Sequence, residues 1–309
     1  MTSLNHNPSQ PGENHGIALR TGKGRSIAQH GELFQGQIED ENHQLRRCLM
    51  SLPCKSLYSE AAYVPDTSGT FVVTPSYKNK VKKVAELTRE RLKLPHLGGT
   101  IKVESTIPEA KGYGSSTADC IAAARSIADA VGHNWGEEQL AQLVVQAEVA
   151  SDNFMFSRAV LFAHREGVVL EDYAQNLPKL EVIGVDTSED SYVDTLEYPP
   201  ARYSWRQLQS FRTLTGALRR AIRLGDIRLL GRVATASAVI NEHFLPKPKF
   251  REVLQTVESV NALGVAVAHS GTVLSVLFDP QDPELDHKSE QLGKGLRRLG
   301  VSSIRSFQT

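Results

Sequence analysis

The sequence predicts an α+β fold with two domains. Short β-like runs and amphipathic helical runs are mixed along the 309 residues without strict strand–helix–strand alternation. Hydrophobic residues make up 40% of the chain, enough to bury a core in each domain. The polar stretch at 187–200 shows no clear helix or strand pattern, and the domain boundary is predicted around it. We therefore expect a first domain at 25–180 and a second at 181–309, preceded at 1–24 by a disordered tail rich in Asn, Pro, Gly and Ser.

Hydrophobic periodicity locates the elements of the first domain. One predicted helix has Val81, Val84, Thr88 and Leu92 on one face and charged residues on the other. The predicted helices are 79–94, 116–131 and 137–150. The predicted strands are 26–29, 57–63, 70–74, 100–106, 159–164 and 168–173.

The second domain is predicted from the same patterns. It has strands at 181–186, 265–269, 273–278 and 301–306. Its helices are at 205–224, 227–241, 249–263 and 284–299.

Charge and cysteine usage exclude several classes of function. Lys plus Arg number 35 and Asp plus Glu number 35, so the chain has no basic footprint of a nucleic-acid binder. No apolar run is long enough to span a membrane. The three cysteines, Cys48, Cys54 and Cys120, are too few for a disulfide framework and favour a reducing compartment. We expect a cytoplasmic protein, a monomer or homodimer, whose partner is a small molecule rather than a nucleic acid or a membrane.

A glycine- and serine-rich loop after the strand at 100–106 carries the strongest functional signal. Gly112 and Gly114 let the backbone approach a ligand closely, and the following hydroxyl residues begin a helix, whose free N–H groups favour phosphate. The alternative is an ordinary glycine loop with a Ser/Thr helix cap. The residues predicted to bind the cofactor are Lys111, Gly112, Tyr113, Gly114, Ser115, Ser116 and Thr117.

Two further segments carry polar residues at positions that suit metal, phosphate or substrate binding. Glu148 and Asp152 either share one helical face or flank a turn around a metal–phosphate cluster, and the adjacent Asn153 leaves open which residue faces a substrate. The alternative is a helix end with solvated carboxylates. Near the N-terminus, Glu32 can pair with an ammonium group and Gln35 can bond a carboxylate or hydroxyl, or both lie in a solvated turn.

The segment 108–116 resembles the Pro-x-x-x-Gly-x-Gly-Ser-Ser motif of the GHMP kinases. The resemblance implies a ribosomal S5 domain 2-like N-terminal domain, a ferredoxin-like C-terminal domain, and ATP with Mg²⁺ as cofactors. It implies that Glu148 and Ser116 bind the metal, and that Asp152 with Asn153 lies at the acceptor hydroxyl. The strand–turn–strand at 266–273 resembles the family loop that packs against the phosphate loop. Its candidate substrate-binding residues are His269, Ser270, Gly271 and Thr272.

The acceptor is suggested by the stretch 28–36, which contains Gly-Glu-Leu-x-Gln-Gly. Together with 52–54, 115–119 and 245–248 it resembles the L-threonine kinase branch, which makes O-phosphothreonine for the aminopropanol linker of cobalamin. The resemblance implies that a small hydroxy amino acid is phosphorylated and that the substrate-binding residues include His30, Glu32, Gln35 and Asp119. Asp119 is otherwise a favourable first-turn carboxylate. The alternatives are a homoserine kinase, another GHMP small-molecule kinase, or a catalytically inactive relative that senses a ligand.

Overall fold

The computed structural model describes residues 19–188, 201–269 and 271–309. Its helices and strands are mixed along the chain, which confirms the predicted α+β class. The helices are α1 (Asn79–Leu92), α2 (Ser115–Ala130), α3 (Glu137–Glu148), α4 (Trp205–Leu224), α5 (Ile227–Glu242), α6 (Phe250–Ser259) and α7 (Leu285–Arg298). The strands are β1 (Gly22–Glu39), β2 (Leu45–Asp66), β3 (Phe71–Thr74), β4 (Gly98–Ser105), β5 (Val160–Ala163), β6 (Val168–Asp172), β7 (Glu181–Asp186), β8 (Gly264–Val267), β9 (Val273–Phe278) and β10 (Ile304–Gln308).

Strands β1 and β2 are the longest elements and form the centre of the sheet, whose order is β10-β7-β9-β8-β1-β2-β4-β3. The sequence predicted only the segments 26–29 and 57–63 of these strands. Register shifts near Gln29 and Glu32 interrupt the β1–β2 ladder, and such bulges re-aim side chains and break the alternating pattern. The strand also begins at Gly22, so the predicted disordered tail is wrong for residues 22–24, while residues 1–18 lie outside the described ranges.

Helix α2 packs closely on the sheet because small residues meet at the contact. It is rich in buried alanine, and a β-carbon on Gly24 of β1 would lie 2.0 Å from the carbonyl oxygen of Ala122. Close approach of this kind needs glycine on one side and alanine on the other. The helix therefore stands in a fixed position over β1, which orients its N-terminus.

Helix α5, in the predicted second domain, bonds the middle of β1. The Ser237 hydroxyl and the Asn241 side-chain amide both donate to the carbonyl oxygen of Gln35, each at 2.9 Å. Glu32 of β1 in turn pairs with Val267 of β8, so one sheet continues through both predicted domains. The boundary between 25–180 and 181–309 stays a prediction.

Several predicted ends move by a few residues. Helix α3 ends at Glu148 rather than at residue 150, because Val149 adopts a left-handed conformation with φ of 74°. Helix α6 ends at Ser259, four residues earlier than predicted, and β10 begins at Ile304. The three cysteines are free and buried. Among the described helices, none has the length and apolarity needed to cross a membrane.

Candidate active site

A cavity of about 660 Å³ opens between the glycine-rich loop and the C-terminal end of α3. Its wall on one side is formed by Gly112, Gly114 and the first residues of α2, and on the other by Glu148 and Asp152. The remaining lining includes Lys80, His164, Arg165, His269 and Gly271. The predicted loop, the two predicted carboxylates and the C-terminal loop thus meet at one place.

The loop presents the N-terminus of α2 to this cavity. Gly112 has φ of 98° and Gly114, the residue before the helix, has φ of 71°, conformations that glycine adopts without strain. The first bond within the helix runs from the Ala118 amide to the carbonyl of Gly114 at 2.9 Å. The amides of Ser115, Ser116 and Thr117 consequently have no partner inside the helix, and they lie at its positive end.

Lys111 anchors the loop instead of lining the cavity. Its ammonium nitrogen lies 3.3 Å from Oδ2 of Asp186 and donates to the carbonyl of Ser188 at 2.8 Å. The Thr272 amide donates to the Lys111 carbonyl at 3.1 Å, and the Thr272 hydroxyl donates to Asp186. The predicted ligand contacts of the Lys111 and Thr272 side chains find no support in this geometry.

The C-terminal loop packs against the phosphate loop, as the family resemblance implied. A β-carbon on Gly271, which has φ of 97°, would lie 2.1 Å from the carbonyl oxygen of Lys111. Only glycine permits this approach. Ser270, also predicted to bind substrate, lies outside the described residues.

Tyr113 and His30 form a buried support behind the loop and do not line the cavity. Their rings meet edge to face with centroids 4.8 Å apart, and the His30 side chain bonds the Ser275 hydroxyl at 2.7 Å. Burial lowers the pKa of His30 to about 3, so the ring is neutral. Neither side chain faces the cavity, and the predicted contacts of Tyr113 with the cofactor and of His30 with the substrate stay predictions.

Glu148 is buried at the edge of the cavity with two partners. The Thr117 hydroxyl donates to its Oε2 at 2.7 Å, and the ammonium of Lys80 lies 3.2 Å from its Oε1. Lys80 was missing from the sequence prediction, because its only signal was a position on the polar face of α1. The structure adds it to the site as a half-exposed cation beside the loop.

Asp152 follows a turn after α3, which decides between the two predicted arrangements of the carboxylates. The turn arises from the left-handed Val149, so Glu148 and Asp152 do not share a helical face. The Asp152 carboxylate makes no hydrogen bond or ion pair with any described residue. Burial raises its pKa to about 7, and the nearby Glu148 charge contributes, while Lys80 opposes the shift.

Asn153 points away from this cavity. Its Oδ1 accepts from the Ser51 amide at 2.9 Å, and its Nδ2 donates to the Val160 carbonyl at 3.0 Å. The side-chain amide of Asn153 therefore links β2 to β5. The question left open by the sequence, which of the adjacent Asp152 and Asn153 faces the cavity, is answered in favour of Asp152 by this geometry.

The predicted substrate-side residues separate into two groups. Gln35 is buried, with its Oε1 bonded at 2.8 Å to Nδ1 of His269, which lines the cavity. Glu32 is buried and does not line the cavity, and burial followed by the Asp152 charge raises its pKa well above the usual range. Asp119 lies elsewhere: its carboxylate accepts from Ser59 and from the ammonium of Lys78, both at 2.5 Å. Its predicted contact with a substrate ammonium is not supported.

Comparisons with known proteins give the family. Residues 79–157 match the family model described as GHMP kinases N terminal domain, and residues 218–287 match GHMP kinases C terminal. The L-threonine kinase of Citrobacter freundii is 35% identical over 195 residues, which cover 60% of this chain and 65% of that protein. The L-threonine kinase of Salmonella typhimurium strain LT2 is 32% identical over 182 residues, covering 58% of this chain and 59% of that protein. The match thus spans less than two thirds of either relative.

The fold agrees with these matches over nearly the whole chain. The crystal structure of homoserine kinase from Cytophaga hutchinsonii superposes with a TM-score of 0.68 at 16% identity, covering 97% of each chain. At that identity the likeness shows the two-domain fold and does not identify a substrate. Both family models match in chain order and the fold agrees, so this chain contains a GHMP kinase N-terminal domain and a GHMP kinase C-terminal domain in the family's two-domain fold.

Proposed function

We propose that this protein is an ATP-dependent kinase that phosphorylates the side-chain hydroxyl of a small hydroxy amino acid, L-threonine, to give O-phospho-L-threonine. The observation that carries the proposal is the unpaired Asp152 carboxylate beside the N-terminus of α2. A phosphate-binding helix terminus and a proton acceptor of raised pKa share one cavity there. The similarity to proteins named L-threonine kinase supports the choice of acceptor.

In this proposal the nucleotide phosphates lie against the loop from Gly112 to Thr117. The free amides of Ser115 to Thr117 donate to phosphate oxygens, and the helix dipole favours their negative charge. Lys80 supplies a positive charge at the same place. Lys111 and Tyr113 contribute by holding the loop rather than through their side chains.

A magnesium ion fits this arrangement only as one shared with the nucleotide. The described residues contain no group of three or more His, Cys, Asp or Glu side chains able to hold a metal by themselves. Glu148 and Ser116 line the cavity next to the loop, and carboxylate and hydroxyl oxygens are suitable Mg²⁺ ligands. They would hold the ion with phosphate oxygens completing its shell, and its charge would offset that of the β- and γ-phosphates.

The transfer step needs no covalent enzyme intermediate. The acceptor hydroxyl oxygen attacks the γ-phosphorus, the bond from that phosphorus to the oxygen of the β-phosphate breaks, and ADP leaves with the electron pair. Asp152 orients the hydroxyl and receives its proton. Its raised pKa suits this role near neutral pH, since a general base works best when its pKa is close to the operating pH.

Two alternatives remain tied to specific observations. A homoserine kinase would share every phosphate-side feature, and the fold of such an enzyme superposes on this one. A catalytically inactive ligand sensor would be favoured by the loss of Asp152 or Ser116, and both are present. The proposal includes a cytoplasmic location, which suits three free thiols, and a monomer or homodimer.

A coupled ADP-release assay distinguishes these alternatives. The purified protein is supplied with ATP, Mg²⁺ and one acceptor at a time: L-threonine, L-serine, L-homoserine, mevalonate or galactose. We expect acceptor-dependent ADP release with L-threonine above the other four. Release with none of them would reject the kinase proposal, and the highest kcat/KM with mevalonate or galactose would reject an amino-acid acceptor.

A further inference from the structure

Three buried polar groups at the β1–β2 bulge have acceptor atoms without a hydrogen-bond partner among the described residues. Both carboxylate oxygens of Glu32, the Ser51 hydroxyl oxygen and Oε1 of Gln29 are buried and make no hydrogen bond with any described residue. Glu32 and Ser51 face each other across β1 and β2 as register partners, and Gln29 lies at the same bulge. Ser51 and Gln29 are near enough to oppose the rise in the pKa of Glu32, although neither meets hydrogen-bond geometry.

Burial of such a cluster destabilises the fold unless a bound group supplies the missing hydrogen-bond partners. A buried polar atom without a partner destabilises the fold, so folded proteins rarely keep several together without a bound ligand or water. All the unused atoms here can accept a hydrogen bond, and one residue is acidic. The complementary group is a compact cation with several donors, and an ammonium has three.

A buried lysine supplies the opposite charge nearby. Lys247 lies between Pro246 and Pro248, its backbone amide donates to the Glu242 carboxylate at 3.0 and 3.1 Å, and its exposed fraction is 6%. Its ammonium makes no hydrogen bond or ion pair with any residue in the described ranges. Burial lowers its pKa to about 8, against the nearby charge of Glu242 and Glu32.

Lys247 follows the end of helix α5, which bonds the Gln35 carbonyl, and the Gln35 side chain bonds His269 of the cavity wall. Lys247 acts electrostatically on Glu32 and also on His269, which lines the cavity. Helix α5 fixes this position, because the same helix that bonds the Gln35 carbonyl leads directly into the loop that carries Lys247. The buried lysine therefore follows the helix that bonds Gln35, and the buried acidic cluster includes Gln29, which lies with Asp152 against Gly114.

We propose that Glu32, Ser51 and Gln29 bind the α-ammonium of the amino-acid substrate and that Lys247 binds its α-carboxylate. This inference rests on the proposed function and specifies how the same site selects a zwitterion. Mevalonate and sugars lack the ammonium, so they would leave the acceptor cluster unsatisfied. A site with unpaired polar groups rejects such analogues strongly.

Substrate analogues test the inference without any mutation. L-Threoninamide keeps the ammonium and the hydroxyl but replaces the carboxylate with a neutral amide, whereas 3-hydroxybutyrate keeps the carboxylate and lacks the ammonium. The wild-type enzyme should show kcat/KM lowered at least about tenfold for each analogue relative to L-threonine, as expected for loss of a charged hydrogen bond. Equal values for L-threonine and either analogue would overturn the assignment of that charge.

The residues are assigned by crossing variants with analogues. Lys247→Met should lower kcat/KM for L-threonine about 10–100-fold while changing it little for L-threoninamide, since the amide cannot pair with the lysine. Glu32→Gln and Ser51→Ala should lower it for L-threonine and not for 3-hydroxybutyrate. Lys83→Met, an exposed lysine on α1, is the matched control and should behave as wild type.

The results distinguish a failure of these residue assignments from a failure of the proposed function. An equal loss for L-threonine and the analogue would show that the varied residue acts on the fold rather than on that charge, and would overturn its assignment. Binding of a non-hydrolysable ATP analogue with wild-type affinity verifies that each variant is folded. If the wild-type enzyme phosphorylates no amino acid, the proposed function fails before the inference is reached.

Discussion

Asp152 lies directly against Gly114. A β-carbon at position 114 would stand 2.5 Å from Oδ2 of Asp152, closer than real β-carbons approach any atom. The Asp152 carboxylate therefore lies against the phosphate loop, next to the N-terminus of α2. Two segments far apart in the sequence, the loop and the turn after α3, thus form one geometric unit.

Alanine substitutions at Gly114 and at a control glycine should distinguish a loss of activity from a loss of stability. Gly114→Ala adds strain at φ of 71° and also pushes against the Asp152 carboxylate, so we expect kcat to fall at least about tenfold, as for a misplaced catalytic group. The matched control is Gly132→Ala at the other end of α2, with φ of 70° and nothing within 4 Å of the added carbon. It should lose about 1 kcal/mol of stability through backbone strain and keep full activity. Equal kcat in the two variants would contradict the account.

Asp152→Asn should lower turnover about 10²–10⁴-fold, the range for removing a general base. In the wild-type enzyme kcat/KM should fall as the pH drops through about 7, because protonated Asp152 cannot accept the hydroxyl proton. The asparagine variant should lose that pH dependence. Full activity in the variant would show that orientation alone suffices and that no carboxylate base is needed.

The same substitution should stabilise the folded protein above neutral pH. The pKa of Asp152 is raised in the fold from 3.8 to about 7, so the native state binds more protons than the unfolded state between these values. Wild-type stability should therefore decline as pH rises through this window, and the cost is fully present above it. Thermal unfolding should give a higher Tm for Asp152→Asn at pH 8, with a difference that narrows towards pH 4. A lower Tm at pH 8 would contradict the partial burial of an unpaired carboxylate.

Lys80→Met should weaken nucleotide binding more than acceptor binding. Lys80 lies in the cavity beside the loop, 3.2 Å from Glu148, where it can reach a phosphate oxygen. We expect KM for ATP to rise about tenfold, the effect of losing one charged hydrogen bond, with KM for L-threonine little changed. Isothermal titration with a non-hydrolysable ATP analogue measures the same loss directly. An unchanged affinity for the analogue would remove Lys80 from the site.

The sequence predicted best where local signals were complete. Helix α4 matches its predicted range of 205–224 because Ser204 caps its N-terminus, Gln207 completes the capping box and Gly225 ends it in the left-handed conformation. Strand β7 likewise has the predicted bounds of 181–186, since β-branched residues dominate a short apolar run. In both cases the information lies within a few residues of the element itself.

Long-range contacts account for what the sequence missed. Contacts with other elements of the fold are what mark Lys80, Ser51 and Lys247 as candidate site residues. No local sequence pattern distinguishes them from ordinary polar residues. Conversely, Asp119 and Lys111 looked like ligand-binding residues because of their neighbours in sequence. The fold instead pairs them with Lys78 and Asp186. Side-chain direction, which the motif does not encode, determines these pairings, and the predicted ligand contacts of Asp119 and Lys111 stay predictions.

The measurement that tests the central claim most directly is the specificity of phosphoryl transfer. The enzyme is incubated with ATP, Mg²⁺ and either L-threonine or L-homoserine, the phosphorylated product is identified by phosphorus NMR, and kcat/KM is determined for each acceptor. The account predicts ADP and O-phospho-L-threonine in equal amounts, with L-threonine preferred about 10–200-fold, the discrimination that one methyl contact provides. A higher kcat/KM for L-homoserine would contradict the threonine assignment, and release of inorganic phosphate without a phosphorylated amino acid would contradict the proposed kinase.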